Sequence, residues 1–191
     1  LPPSYLDPAC IPYYGTPDEW YGYGTYCEDG SGGGVTCACI CPEGAAHESS
    51  ASCGYEDPDP NGGCDEDPWV FDPIACGETV CGMVSIEPDP NVPGDRLIDT
   101  DWYEFTLTAD AFVAWSVHSD FPAVISIYQS DCTLLTQNAG GGGDCGEVSL
   151  GVSLTAGTYY AVVEPDQDAL LWLPCTGEHN RYYATLQCDS R

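Results

Sequence analysis

Lysine is absent from the 191 residues, and arginine occurs only at Arg96, Arg181 and Arg191. Against these three cations stand 31 Asp and Glu, a formal net charge of -28. Nucleic acid is thereby excluded as a partner, because phosphate recognition needs clustered Lys or Arg. An anionic membrane surface is excluded for the same reason. Without lysine there is no Schiff-base chemistry and no lysine phosphate clamp. No apolar run reaches the roughly 18 residues of a membrane-spanning helix. Histidine is scarce, at His47, His118 and His179. His118-Ser119-Asp120 contains triad residue types, but the members of a triad converge from separate loops and adjacent residues cannot. Neither G-x-S-x-G nor H-E-x-x-H occurs, nor does an N-x-[ST] glycosylation acceptor. The expectation is a protein that is not an enzyme and has no organic cofactor.

Cysteine is abundant. Thirteen positions carry it: 10, 27, 37, 39, 41, 53, 64, 76, 81, 132, 145, 175 and 188. This density predicts an oxidising compartment and a disulfide framework, hence a secreted, extracellular or cell-surface protein. The chain opens on Leu1 with no basic-then-apolar leader, which reads as a mature chain after signal removal. Short spacing proposes the pairs Cys53–Cys64, Cys76–Cys81, Cys132–Cys145 and Cys175–Cys188, each worth ~2–4 kcal/mol. Cys10, Cys27, Cys37, Cys39 and Cys41 then supply two further bonds, with Cys10 and Cys27 among the bonded residues, and leave one thiol over. That thiol is either a bond to another subunit or a buried free cysteine. Cys37, Cys39 and Cys41 with His47 also have ligand types for zinc, though structural zinc prefers wider spacing.

Three regions differ in character. Residues 1–52 are rich in Gly, Tyr, Pro and Cys and poor in aliphatics. Such a segment needs cross-links or a partner surface to hold a shape. Its aromatics Tyr13, Tyr14, Trp20, Tyr21 and Tyr23 make a sticky, amphipathic surface suited to an interface. Residues 53–75 form a connector, in which Asp57-Pro58-Asp59-Pro60 fixes turns and forbids a helix. Residues 76–191 alternate. Val148, Leu150, Val152 and Leu154 recur at period two, as do Tyr103, Phe105 and Leu107, and Val113, Trp115 and Val117. One face of each segment is therefore buried and one wetted. Strands are predicted near 79–86, 102–108, 111–118, 122–129, 133–137, 147–154, 157–164 and 182–188. Eight short strands with turn residues between them give an all-β, jelly-roll-like sandwich behind a disulfide-rich N-terminal extension.

Two segments carry a resemblance. Asp99-Thr100-Asp101-Trp102-Tyr103-Glu104-Phe105-Thr106-Leu107 and Leu154-Thr155-Ala156-Gly157-Thr158-Tyr159-Tyr160 resemble the bacterial pre-peptidase C-terminal domain over roughly 76–188. Asn61-Gly62-Gly63-Cys64 and Cys76-Gly77-Glu78-Thr79-Val80-Cys81-Gly82 resemble a cysteine-rich version in secreted proteins of Planctomycetes-type bacteria, extending the likeness to about residue 53. The resemblance implies a jelly-roll sandwich, an accessory module of exported proteins and, in some relatives, calcium and collagen binding. It also implies calcium ligands near Asp99 and Asp101. Glu87 and Asp95, in neighbouring Pro- and Gly-rich loops, complete a candidate oxygen-rich calcium set. The alternative for Asp99 and Asp101 is that they cap turns and solvate a strand end.

These observations predict a non-catalytic extracellular structural protein. It would be a subunit of a fibre or cell-surface assembly, self-associating as an N-terminal arm adds a strand to a neighbour's sandwich edge. A calcium-dependent adhesion or substrate-binding module recognising an extracellular surface ligand, or an accessory domain of a secreted hydrolase, is the other expectation.

Overall fold

The alternating apolar segments lie in two stacked sheets. The computed structural model describes residues 39–49, 60–92, 94–142, 145–170, 172–175 and 179–189, and the backbone alone of 10–14, 23–28, 34–36 and 190. In chain order its strands are β1 (Cys10–Tyr14), β2 (Tyr23–Glu28), β3 (Gly34–Thr36), β4 (Ala46–His47) and β5 (Asp72–Pro73). Then follow β6 (Thr79–Met83), β7 (Ile86–Pro88), β8 (Arg96–Ile98), β9 (Asp101–Leu107) and β10 (Ala111–Ser119). The last are β11 (Ala123–Gln129), β12 (Leu134–Gly140), β13 (Gly146–Leu154), β14 (Gly157–Pro165) and β15 (Arg181–Ser190).

One five-stranded sheet has the order β13-β10-β15-β6-β4 and the other β12-β11-β14-β9-β5. Counted as first to eighth, β6 and β9 to β15 run sixth-third-eighth-first in one sheet and fifth-fourth-seventh-second in the other. That interleaving of two Greek keys is the jelly roll. The fold is therefore all-β, as the period-two segments predict.

Burial follows the alternation. Strand β10 reads buried at Ala111, Val113, Trp115, Val117 and Ser119. With Tyr103, Phe105, Ile125, Ile127, Val163, Tyr182 and Leu186 these side chains fill the space between the sheets. The Trp115 indole N–H, fully buried, donates to the Val162 carbonyl at 3.2 Å. A smaller cluster of Trp102, Tyr160 and Val162 forms on the outer face of the second sheet, joined by Phe71 and Tyr128. Phe71 stacks on Tyr160 with ring centroids 3.9 Å apart. The connector that supplies Phe71 is thus packed against the sheet.

The region expected as one strand at 79–86 is two. Strand β6 ends at Met83, and Ile86 opens the β7–β8 hairpin, bridging to Leu173. The break falls at Val84-Ser85, where Val84 N–H bonds Asn180 and Ser85 C=O accepts from Asp99.

The disulfide pairing is corrected throughout. Between described residues the bonds are Cys39–Cys145, Cys41–Cys81, Cys64–Cys132 and Cys76–Cys188. Cys53–Cys64, Cys76–Cys81, Cys132–Cys145 and Cys175–Cys188 are each ruled out, since one member or both is bonded elsewhere. Cys175 is itself disulfide-bonded. Sheet register explains the outcome. Thr79 pairs with Thr185 across β6 and β15, so continuing that antiparallel register sets Cys76 opposite Cys188. Cys132 and Cys145 lie at opposite ends of the seven-residue β12, about 20 Å of extended chain. Zinc on Cys37, Cys39, Cys41 and His47 is overturned as well, because Cys39 and Cys41 are in disulfides. No free cysteine occurs among the described residues. Cys37 and Cys53, and the side chains of Cys10 and Cys27, lie outside them; the backbones of Cys10 and Cys27 are cross-strand partners.

Among the described residues, strands β1, β2 and β3 form a three-stranded sheet of their own. Tyr13, Tyr14 and Tyr23 fall on it, with Tyr14 opposite Tyr23. Their side chains, and all of Trp20 and Tyr21, lie outside the described residues.

Candidate functional site

Period two places Asp101 on the same face of β9 as Tyr103, Phe105 and Leu107, which is the core face. Its carboxylate is fully buried. A charge in the interior needs hydrogen-bond donors, and these converge from distant parts of the chain. Asn61 Nδ2 donates to Asp101 Oδ1 at 2.7 Å, and the Tyr182 hydroxyl donates to Oδ2 at 2.6 Å. The Tyr103 hydroxyl bonds in turn to that of Tyr182. Because Tyr182 donates to Asp101, Tyr103 is the donor to Tyr182, which makes a one-directional relay.

Glu48 completes the group. Residues 39–49 form a strap along β6: β4 pairs with β6 in parallel, Cys41 is bonded to Cys81, and Glu48 N–H donates to the Cys81 carbonyl at 3.0 Å. Further back, Cys39 N–H donates to both oxygens of Asp120, at 2.7 and 2.9 Å. At the strap's end the Glu48 side chain turns inward. Its Oε1 accepts the Met83 N–H at 2.9 Å, and its buried Oε2 meets no donor among the described residues. Gly82 makes this possible: a Cβ there would lie 2.3 Å from both Glu48 Oε2 and the Tyr182 hydroxyl oxygen.

Burial raises the Glu48 carboxyl to about 8, with Asp99 and Asp72 adding like-charge repulsion. Burial, then the Glu48 charge, pushes Asp101 well above the usual carboxylate range. Burial pushes Tyr103 and Tyr182 well up as well, reinforced by the Asp101 charge.

The residues expected to bind calcium are distributed differently. Asp99 is buried, with its N–H on the Ser85 carbonyl. Glu87 lies half-buried on β7, and Asp95 is exposed in the β7–β8 turn, where its carbonyl accepts the Asp89 N–H. Calcium takes about 6–8 oxygens at close range. Among the described residues no three His, Cys, Asp or Glu gather closely enough for a metal ion. Asp101 already has both oxygens engaged by protein donors. Asp99, Asp101, Glu87 and Asp95 are thus not gathered into one calcium ligand set.

A second acidic place is a shallow cavity of about 220 Å³ whose lining includes Asp65, Glu66, Thr100 and Glu164. Burial raises both Asp65 and Glu164, and Asp65 raises Glu164 further by repulsion. The triad residue types are engaged separately. His118 stacks on Tyr183, Ser119 Oγ donates to the Phe121 carbonyl, and Asp120 holds Cys39.

The sandwich also presents two edges of unlike character. Strand β4 lies outside β6 and strand β5 outside β9, each in parallel. The opposite edges are β13 and β12. Glu147 is the single charged residue on those two strands. Leu134 and Leu135 on β12, and Phe112 beside Gly151 of β13, are exposed.

No family model and no curated protein matches the chain. Among solved structures, the chain is similar to part of a cycloisomaltooligosaccharide glucanotransferase from a Paenibacillus species, solved with cycloisomaltoheptaose. The TM-score is 0.31 at 11% identity, over 59% of this chain and 18% of that one. It is also similar, with a TM-score of 0.43 and 15% identity over 61% of this chain and 94% of the other, to the pre-peptidase C-terminal domain of a Bacillus anthracis collagenase, the family its D-x-D-W-Y-x-F and A-G-T-Y-Y segments resemble.

Proposed function

We propose that this protein is a non-catalytic extracellular structural subunit that self-associates along the β12/β13 side of its sandwich, with the Tyr- and Trp-rich N-terminal region as the incoming arm. One observation carries the reading: in a chain of net charge -28, the two strands bordering that side carry one charged residue between them. Soluble β-proteins blunt long edges with Lys, Pro, bulges or cover, because an open edge is a template for another strand. Strand β13 spans nine residues without Pro, and its only charge is Glu147 near one end. Such an edge suits strand addition, in which backbone bonds give affinity and alternate side chains give register. A head-to-tail contact of this kind repeats into a filament. The disulfides support an extracellular setting, since bonds of this number persist in oxidising compartments.

Negative-stain microscopy of the full chain, with and without calcium, tests the reading. Filaments or ordered strings are the expected outcome. Monodisperse monomers under both conditions, at concentrations of about 10 µM where strand-addition contacts of micromolar affinity are populated, defeat it.

A further inference from the structure

We infer that Glu48 and Asp101 form a carboxyl–carboxylate pair joined by one shared proton, and that this proton, rather than a calcium ion, fastens the strap of residues 39–49 into the sandwich. The donor inventory assigns it. Both Asp101 oxygens accept, from Asn61 Nδ2 and from the Tyr182 hydroxyl. Glu48 Oε1 accepts from Met83 N–H. Glu48 Oε2 is buried, and no N–H or O–H of the described residues donates to it. Yet Glu48 Oε2 is lodged beside the Tyr182 hydroxyl that bonds Asp101, since a Cβ at Gly82 would lie 2.3 Å from both of those oxygens. Two ionised carboxylates have no donor between them, so one must be an acid. Asp101 already holds two donated bonds that favour its charged form. Glu48 Oε2 has no such donor, so the proton lies between Glu48 Oε2 and Asp101 and belongs to the pair.

Every charged group facing the pair is negative. Asp99 precedes β9 by two positions, and Asp72 on β5 accepts the Ser49 N–H at 2.6 Å. The remaining titratable neighbours are the hydroxyls of Tyr103 on β9 and Tyr182 on β15, both kept protonated by burial. With no arginine among them, loss of the proton leaves two buried carboxylates opposed. The strap then keeps its disulfides to Cys81 and Cys145 and loses its side-chain anchor. This inference does not rest on self-association.

The sign follows from linkage. Glu48 holds its proton in the folded chain up to about 8 against an ordinary 4.5. Its contribution is complete below about 4.5 and is lost as pH rises towards about 8. One proton held over that window changes the folding constant by about tenfold per pH unit, on the order of a thousandfold in all.

The test compares the full-length protein with its Glu48→Gln variant in denaturant melts from pH 5 to pH 9, each with calcium and with chelator. Glutamine keeps an oxygen for Met83 and places an N–H where the proton stood. The variant is expected to lose most of the wild-type decline in stability with pH, with calcium changing neither protein. An unchanged slope in the variant overturns the inference. So does a calcium-dependent stabilisation of wild type that Glu48→Gln abolishes, because the site would then be a cation site. Should the variant not fold, infrared spectroscopy of the wild type decides. A buried carboxylic-acid C=O band present at pH 7 and gone at pH 9 supports the shared proton, and its absence at pH 7 overturns it.

Discussion

The two sides of the sandwich solve the same problem in opposite ways. At β6 and β9 the protein covers its own edges. Strands β4 and β5 lie along them, Cys41–Cys81 staples the strap, and Glu48 reaches through to Asp101. At β12 and β13 no described strand lies outside, and the residues there are Leu, Val, Ala, Ser, Thr, Gln, Asn, Gly and a single Glu. A chain with 31 carboxylates could guard that side with charge and does not. The comparison teaches where each kind of interaction is used. Strands β4 and β5, the Cys41–Cys81 bond and the buried Glu48 side chain close the covered side, whereas Cys39–Cys145 and Cys64–Cys132 reach the β12/β13 side only at its ends and leave its strands with one charge between them.

The largest effect expected is from reduction. Three of the four disulfides whose two ends are described join the self-covering segments at 39–41 and 64 to the sandwich, and Cys76–Cys188 closes its first strand onto its last. Their separations run from 40 to 112 residues, so the chain-entropy account gives ~4 kcal/mol each. Together they match or exceed a usual domain stability of about 5–15 kcal/mol. Circular dichroism with reductant is expected to show a melting temperature lowered by tens of degrees, or no cooperative transition. A shift of less than about 5 °C, which corresponds to only ~2 kcal/mol at this size, would break the comparison at its root.

Next in size is a matched pair of glycine substitutions, one on each side. Gly82→Ala puts a methyl group 2.3 Å from Glu48 Oε2 and the Tyr182 hydroxyl, in a fully packed interior. Overpacking of that kind costs about 1–3 kcal/mol, and displacing the acid pair adds to it. Gly151→Ala on β13 meets only the far end of the Phe112 ring, at 2.5 Å. Phe112 is 40% exposed and free to swing aside, so a change within ~0.5 kcal/mol is expected there. Denaturant midpoints read both. Equal losses would mean that the open side is as tightly built as the covered one.

Much of this contrast was legible in the sequence and some was not. The eight long strands announce themselves through period two, because each buries one face only. Alternation also carries Asp101 onto the core face with Tyr103 and Phe105, a signal that the turn-capping and calcium expectations passed over. Glu48 gave none. It sits in Ala45-Ala46-His47-Glu48-Ser49-Ser50, with no periodicity to mark an inward side chain, and its burial depends on a partner 53 positions away. The cysteine pairs were hidden for a related reason. Sheet register brings Cys76 to Cys188, and register is a property of the assembled sandwich, whereas sequence spacing favours short loops.

The smallest effect on the fold, and the sharpest on the contact, is expected from Ser149→Lys. Ser149 is exposed on β13, between half-buried Leu150 and buried Val148. A lysine there leaves the inward side chains untouched, so the melting temperature should move by about 2 °C at most, as for a surface change within ~0.5 kcal/mol. On an edge strand, however, a lysine is the residue that natural sheets use to refuse a partner strand. Attraction from the acidic surface does not rescue the contact, since an incoming backbone must desolvate the ammonium group to form its ladder. Sedimentation and microscopy of Ser149→Lys are therefore expected to show monomers where the parent assembles. Lysine at Glu78, exposed on the covered side beside β6, is the matched control and should leave assembly unchanged. If both variants assemble alike, the neutral edge is not the contact and the difference between the two sides has another cause. If both fail, net charge governs association, because each substitution alters the same -28 balance.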